Sequence, residues 1–85
     1  MAIYQILYWG DIPSQVKAWD DFDEVKIELS GKFMQEIDRM AQRLGMTETD
    51  DYLDQWRWSE EMERDGDPQF VADTLRNELE ATMDG

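Results

Sequence analysis

Residues 24–44 read EVKIELSGKFMQEIDRMAQRL, and the spacing of their apolar side chains changes in the middle of the stretch. In the first seven positions Val, Ile and Leu alternate with polar residues, which is typical of a strand buried on one face. Beyond Ser30 the apolar residues recur every three or four positions, as on one face of a helix. The stretch therefore predicts a strand over 24–30 followed by a helix over 31–44.

Two further strands are predicted upstream of this stretch. Residues 3–9, IYQILYW, are almost entirely aliphatic or aromatic, so we expect a strand that is covered on both faces. Residues 10–14 contain Gly, Asp and Pro and favour a turn. A shorter strand over 15–19 follows. Because short connections join the three consecutive strands, the pattern predicts an antiparallel meander.

Two further helices are predicted downstream. Thr47 and Asp50 have nearly the spacing of a capping box and open a helix predicted over 48–65, with Tyr, Leu, Trp and Met on its buried side. The pair Asp67-Pro68 is typical of a helix start and predicts a third helix over 68–82. We therefore expect one α+β domain, in which a short three-stranded antiparallel sheet precedes three helices packed on one of its faces.

The charge balance limits the partners that the domain can bind. Twenty-one acidic residues face eight basic ones in 85 residues, for a formal net charge of −13. This charge disfavours nucleic acid and anionic membrane surfaces, which both recruit Lys and Arg. It favours a partner with a basic surface. The absence of Cys and of a leader-like N-terminal segment favours the cytoplasm.

The sequence offers little for catalysis or metal binding. The chain has no His and no Cys, so chemistry would fall to carboxylates such as those of the Asp20–Glu24 turn or of Asp50, Asp51 and Asp54. Carboxylates in turns and first helical turns are normally solvated, with ordinary pKa values. We therefore expect no catalytic residue, no cofactor and no dedicated metal site. Weak cation binding at the Asp20–Glu24 turn is left open.

Residues 25–64 also resemble a ribbon-helix-helix unit, with a strand, a helix, a glycine turn and a second helix. Proteins of that type pair strands between two subunits and read DNA with the exposed strand side chains. Here those side chains are Lys26, Glu28 and Ser30, only one of which is basic. DNA binding is therefore not expected, while a homodimer without DNA binding stays open as a third hypothesis.

Three stretches together resemble a known family. They are residues 8–18 (YWGDIPSQVKA), residues 51–58 (DYLDQWRW) and residues 65–68 (DGDP), the last leading into Val71-Ala72. They are similar to the bacterial virulence factor domain family, found in conserved virulence factor C, and the likeness covers nearly the whole chain. The resemblance implies a stand-alone member. It implies no particular activity, because the family name records a phenotype.

The aromatic residues of the first two stretches suggest an interaction surface. On a helix Trp56 and Trp58 would be about 200° apart, so one would enter the core and the other would be exposed. Trp, Tyr and Arg are frequent anchors of protein interfaces. We therefore expect a non-enzymatic module that binds another cytoplasmic protein; the alternative is an accessory subunit or minor enzyme that handles a small molecule. The predicted interaction patch is Tyr8, Trp9, Ile12, Pro13, Gln15, Trp56, Arg57 and Trp58.

Overall fold

The computed structural model describes residues 1–46 and 49–84. It is an α+β fold with a five-stranded antiparallel sheet and three helices. The elements in chain order are β1 (Ala2–Trp9), β2 (Ile12–Trp19), β3 (Glu24–Glu28), α1 (Gly31–Arg43), α2 (Thr49–Asp54), β4 (Trp56–Trp58), β5 (Met62–Arg64) and α3 (Pro68–Asp84).

The predicted meander is present, but β2 begins earlier than expected. The turn between β1 and β2 consists of Gly10 and Asp11 alone, with Gly10 in the left-handed region at φ +58°. The pairing shifts between Leu7 and Tyr8, so that Ser14 is an extra residue in β2. A bulge is one of the few places where a strand accommodates proline. Pro13 therefore lies inside β2, and the predicted break over 10–14 shrinks to two residues.

The predicted helix over 48–65 is wrong. Helix α2 ends at Asp54, and the chain then forms β4 and β5, which both pair antiparallel with β1. The sheet order is β3-β2-β1-β4. β5 pairs with the same edge of β1 as β4 does, but at the other end of that strand. A local helical spacing is overridden here because β1 has a second backbone edge whose N–H and C=O groups need partners, and residues 56–64 supply them. Accordingly, the predicted three-stranded sheet has five strands.

Ser59 joins β4 to the edge of β1 beyond the last paired residue. Its N–H donates to the Ile6 carbonyl at 2.8 Å, and its Oγ accepts from the Ile6 N–H at 2.9 Å. The Gln5 side chain donates to the Ser59 carbonyl at 2.9 Å. Glu60 and Glu61 then loop outward before β5 rejoins the same edge at Tyr4. β4 and β5 thus form one discontinuous outer strand, which is interrupted by the loop that contains Glu60 and Glu61.

The helices pack on one face of the sheet, as expected. Val16 and Ala18 of β2 are fully buried against helix residues in the main core. A second cluster lies at the end of the sheet and contains Trp9, Ile37 and Ala41, with Tyr52 and Trp56 packed against it. The helix residues of the main core are Phe33 of α1 and Val71, Ala72 and Leu75 of α3.

The helix ends follow the sequence signals only in part. Gly45 has φ +72°, as a left-handed C-terminal cap requires. Ser30 occupies the N-cap of α1, but its hydroxyl makes no capping hydrogen bond. Asp67 does cap α3, since its Oδ1 accepts from the Phe70 N–H at 2.8 Å. The predicted cap at Thr47 lies outside the described residues.

The cap of α3 gives a first prediction. Asp67→Ala removes the acceptor of the Phe70 N–H, so we expect the free energy of unfolding to fall by about 1 kcal/mol. Urea denaturation followed by far-ultraviolet circular dichroism measures this change. Asp65→Ala is the matched control, because it removes the same charge next to the helix start without removing the cap. Equal losses in both variants would contradict the assignment.

Candidate interaction surface

One face of the sheet carries the candidate site. Side chains alternate along a strand, so residues next to the buried Val16 and Ala18 point away from the helices. In the described part of the chain, both long helices pack on the Val16 side. The opposite face, here called the open face, is formed by Ile3, Gln5, Leu7, Gln15, Lys17, Trp19, Lys26 and Trp58.

The open face is organised in rows across the strands. Ile3 of β1 is paired with Trp19 of β2 in one row. Two positions further along β1, Gln5 is paired with Lys17, and Lys17 with Lys26. The last row places Leu7 between its partners on either side, Gln15 of β2 and Trp58 of β4. Two apolar rows, each with one tryptophan, therefore flank a polar row that contains two cations.

Lys17 lies at the centre of this surface and connects the two tryptophans. Its Nζ is 5.1 Å from the ring centroid of Trp19 and 5.9 Å from that of Trp58. Both distances are within the range of a cation–π interaction, which is most favourable for Trp. The same ammonium group forms an ion pair with Glu24 at 3.5 Å. These contacts hold both rings beside the lysine, so the surface is preorganised.

Acidic side chains border the open face on both sides. Glu24 and Glu28 lie on β3, at one edge of the sheet. Glu63 pairs with Ile3 at the other edge, and Glu60 and Glu61 project from the adjoining excursion. All five of these side chains are exposed. The apolar centre is therefore enclosed by carboxylates.

The Asp20–Glu24 turn extends the acidic border at one corner. Asp20 Oδ1 accepts hydrogen bonds from the Phe22 and Asp23 N–H groups, both at 2.8 Å. These backbone donors, that of Phe22 first, hold the pKa of the Asp20 carboxyl below its ordinary value of 3.8. The Asp20 carboxylate thus stabilises the turn by accepting these two backbone hydrogen bonds. In residues 1–46 and 49–84, no group of three or more acidic side chains is arranged to hold a metal ion.

The predicted interaction patch is brought together, but it is divided between two sides of the sheet. Trp9 is 1% exposed and lies in the second core cluster, with Ile12 and Trp56 packed against it. Gln15 and Trp58 belong instead to the open face, where Trp58 is 42% exposed. The first group supports the fold, while the second is available to a partner.

The remaining predicted residues lie across three neighbouring strands. Tyr8 is paired with Pro13 of β2 and with Arg57 of β4. Arg57 Nη2 donates to the Gly10 carbonyl at 3.1 Å and forms an ion pair with Asp11 at 3.4 Å. Arg57 therefore fastens β4 to the β1–β2 turn.

One tryptophan of the pair is exposed, as predicted, although the predicted helix geometry was wrong. In a regular strand Trp56 and Trp58 would share a face. Their partners on β1 are Trp9 and Leu7, which lie in different environments: Trp9 is 1% exposed in the second core cluster, whereas Leu7 lies on the open face. Trp56 therefore follows Trp9 toward the helices, and Trp58 follows Leu7 onto the open face.

Sequence reasoning missed most of this surface, since only Gln15 and Trp58 of the open face belong to the predicted patch. Ile3, Leu7, Lys17 and Trp19 were assigned to strands but not to a site, because residues 3–9 were expected to be covered on both faces. One signal was available for β2: Lys17 and Trp19 alternate with Val16 and Ala18. No signal in residues 56–58 alone could place Trp58 next to Leu7, since that contact depends on strand pairing over 50 residues apart in the chain.

Other kinds of site find little support in the described residues. No polar or charged residue among them is buried, whereas a catalytic carboxyl with a raised pKa requires burial or a close like charge. No described helix is long and apolar enough to cross a membrane. Residues 25–64 do not form a ribbon-helix-helix unit, because β3 pairs with β2 and the second helix is replaced by α2, β4 and β5.

The comparisons with known proteins agree with the resemblance drawn from the sequence. A family model described as virulence factor matches residues 7–85, nearly the whole chain. The match confirms the predicted family. No curated protein and no solved structure matches the chain.

The Asp20–Glu24 turn gives a second prediction. The pKa of Asp20 is lowered by folding, so its contribution to stability is complete above the unfolded value of about 3.9 and is lost as the pH falls through the lower, folded value. We expect carboxyl NMR to show Asp20 titrating below 3.8.

Thermal denaturation as a function of pH provides the control. Asp20→Asn keeps an acceptor oxygen but cannot ionise, so its stability relative to the parent protein should change only across the acid range where Asp20 titrates. An Asp20 midpoint at or above 3.8 would contradict the two backbone hydrogen bonds.

Proposed function

The chain belongs to the virulence factor family, and we propose that it is a non-enzymatic accessory module that binds another cytoplasmic protein through the open face. The observation that carries this proposal is the exposed Trp58, held beside Leu7 and Lys17 on a sheet face that the helices leave uncovered. An exposed aromatic residue in an apolar setting is the usual anchor of a protein interface.

The composition of the open face supports a protein partner. Its apolar residues come from three adjacent strands and lie in two rows, and Lys17 between the rows contacts the tryptophan of each. Strands are about 4.8 Å apart, so the four strands β3, β2, β1 and β4 extend over roughly 15–20 Å. This width suits a helix or a strand pair of another protein. An interface of this size belongs with the smaller, transient ones.

The charge distribution supports a partner with a basic border. The carboxylates of Glu24, Glu28 and Glu63 surround the apolar rows. A net charge of −13 attracts a basic protein over long distances and increases the rate of encounter. The same charge opposes a second copy of this chain on the open face. We therefore favour a different protein over the homodimer, and a dimer is one outcome that the experiment below detects.

The alternative of a small enzyme or small-molecule subunit has less support. It would be favoured by a buried carboxyl with a raised pKa beside a cavity. The described residues include no buried charged group, and the pKa of the Asp20 carboxyl is lowered, not raised. The enzymatic alternative remains an untested prediction, and no specific observation favours it.

Capture from the native cell followed by reconstitution tests the proposal. The tagged chain is gently cross-linked in its own cell, and the stoichiometric partner is identified, purified and titrated against the chain. We expect Trp58→Ala to weaken binding about tenfold or more, since a central aromatic anchor is removed. We also expect the affinity and the association rate to fall as salt is raised.

Phe70→Ala is the matched control for the aromatic anchor. Phe70 is 59% exposed but lies on α3, on the helix side of the sheet. The Phe70→Ala variant should bind the partner with unchanged affinity, and circular dichroism should show that Phe70→Ala and Trp58→Ala are both folded. A folded Trp58→Ala variant with full affinity would contradict the open face as the binding site. Light scattering of the chain alone measures its oligomeric state. A dimer that Trp58→Ala dissociates would show that the open face binds a second copy of this chain instead of a different protein.

A further inference from the structure

A small apolar pocket lies at the end of the sheet, away from the open face. Its volume is about 230 Å³. Trp9 and Ile12 come from β1 and β2, Met40 lies near the end of α1, and Leu44 directly follows that helix. The lining is completed by Gly10, Asp11 and Gln55. Leu44 is 55% exposed, so an apolar wall of the pocket faces solvent.

The backbone around this pocket is held in place by hydrogen bonds. The Gly10 N–H donates to the Gln55 carbonyl at 3.0 Å, and Arg57 donates to the Gly10 carbonyl at 3.1 Å. The Trp9 indole N–H donates to the Tyr52 carbonyl at 2.9 Å. These bonds tie the β1–β2 turn to the segment between α2 and β4. The pocket is therefore formed before any ligand arrives, which lowers the entropy cost of binding.

The size and lining of the pocket select the kind of ligand. Pockets for small molecules and cofactors are usually about 300–1,000 Å³, and this one is smaller, at about 230 Å³. Apolar side chains make up four of its lining residues, and no described residue beside it is a buried charge. Such a pocket suits a single aliphatic side chain of a peptide, which gains from removing its apolar surface from water.

Charge around the pocket indicates what should accompany that side chain. The Asp11 side chain is fully exposed at the rim, and α2, which ends next to Gln55, carries Asp50, Asp51 and Asp54. The segments that form the pocket also carry two cations: Arg57, which is paired with Asp11, and Arg43 at the end of α1. Acidic residues outnumber basic ones in these segments, as they do in the whole chain with its net charge of −13, and this favours a ligand with basic flanks.

We propose that this pocket receives one leucine or methionine side chain from a peptide segment of another protein in which Lys or Arg flank that residue. The site is separate from the open face and does not depend on the function proposed for it. It uses Trp9 and Ile12, two residues of the predicted patch that lie outside the open face.

A set of defined peptides tests the proposal on the intact chain. The probes are Lys-Lys-Gly-X-Gly-Lys-Lys with X as Leu, Met or Ala, together with Glu-Glu-Gly-Leu-Gly-Glu-Glu. Amide and indole NMR shifts are followed up to about 2 mM peptide, where millimolar affinities are measurable. We expect the Leu and Met peptides to bind about tenfold more tightly than the Ala peptide. The glutamate-flanked peptide should not bind.

The shifts should map to the pocket, with the Trp9 indole N–H and the Gly10 and Gln55 amides moving most. Leu44→Asn removes an apolar wall and should weaken the Leu peptide about threefold or more, since only part of the lining is lost. Leu53→Asn, an equally exposed leucine on α2 outside the lining, is the matched control. Trp58→Ala should leave peptide binding unchanged, which separates this site from the open face.

Three results would overturn the proposal. They are no shifts with any lysine-flanked peptide, equal affinity for the Leu and Ala peptides, or shifts that map elsewhere and persist in full in a folded Leu44→Asn variant. Each of these leaves the test of the open face unaffected, because that test relies on Trp58 and on a different ligand.

Discussion

The pairing of residues 56–64 with the outer edge of β1 is the interaction on which the rest of the structure depends. β1 is already paired with β2 along its other edge, so the second pairing makes it a central strand. A bare edge would leave a row of unpaired backbone groups open to other chains. The same pairing ends α2 at Asp54 and brings its Tyr52 carbonyl to the Trp9 indole. This arrangement also places Tyr52 and Trp56 against the second core cluster.

The two tryptophans of β4 serve different purposes, with Trp56 packed against the second core cluster and Trp58 beside Lys17. The core needs one aromatic residue at that point to cover Trp9. The other keeps 42% of its surface exposed on the open face. A thin core, as expected for 85 residues, makes such leftover apolar surface unavoidable.

The two surfaces proposed for binding have similar chemistry, although they lie apart. Each has an apolar centre, around Trp58 on the open face and around Leu44 at the pocket, and each is bordered by carboxylates. On the sheet edge, Glu24, Lys26 and Glu28 also oppose pairing with another strand, as charged edge residues commonly do. The acidic surface thus discourages self-association while attracting basic partners, both through the same Coulomb interaction.

The sequence by itself determined the elements whose stability is local. The alternation of Val25 and Ile27 and the Asp67-Pro68 start of α3 depend on neighbours within a few residues, and both appear where predicted. The conformation of residues 55–64 depends instead on tertiary contacts. The spacing of Tyr52, Leu53 and Trp56 fits one side of a helix, but the edge of β1, distant in the chain, supplies hydrogen bonds that no local pattern records. The same holds for the candidate site. The sequence shows which residue types are available for binding, but the strand register is needed to tell which side of the sheet each one occupies.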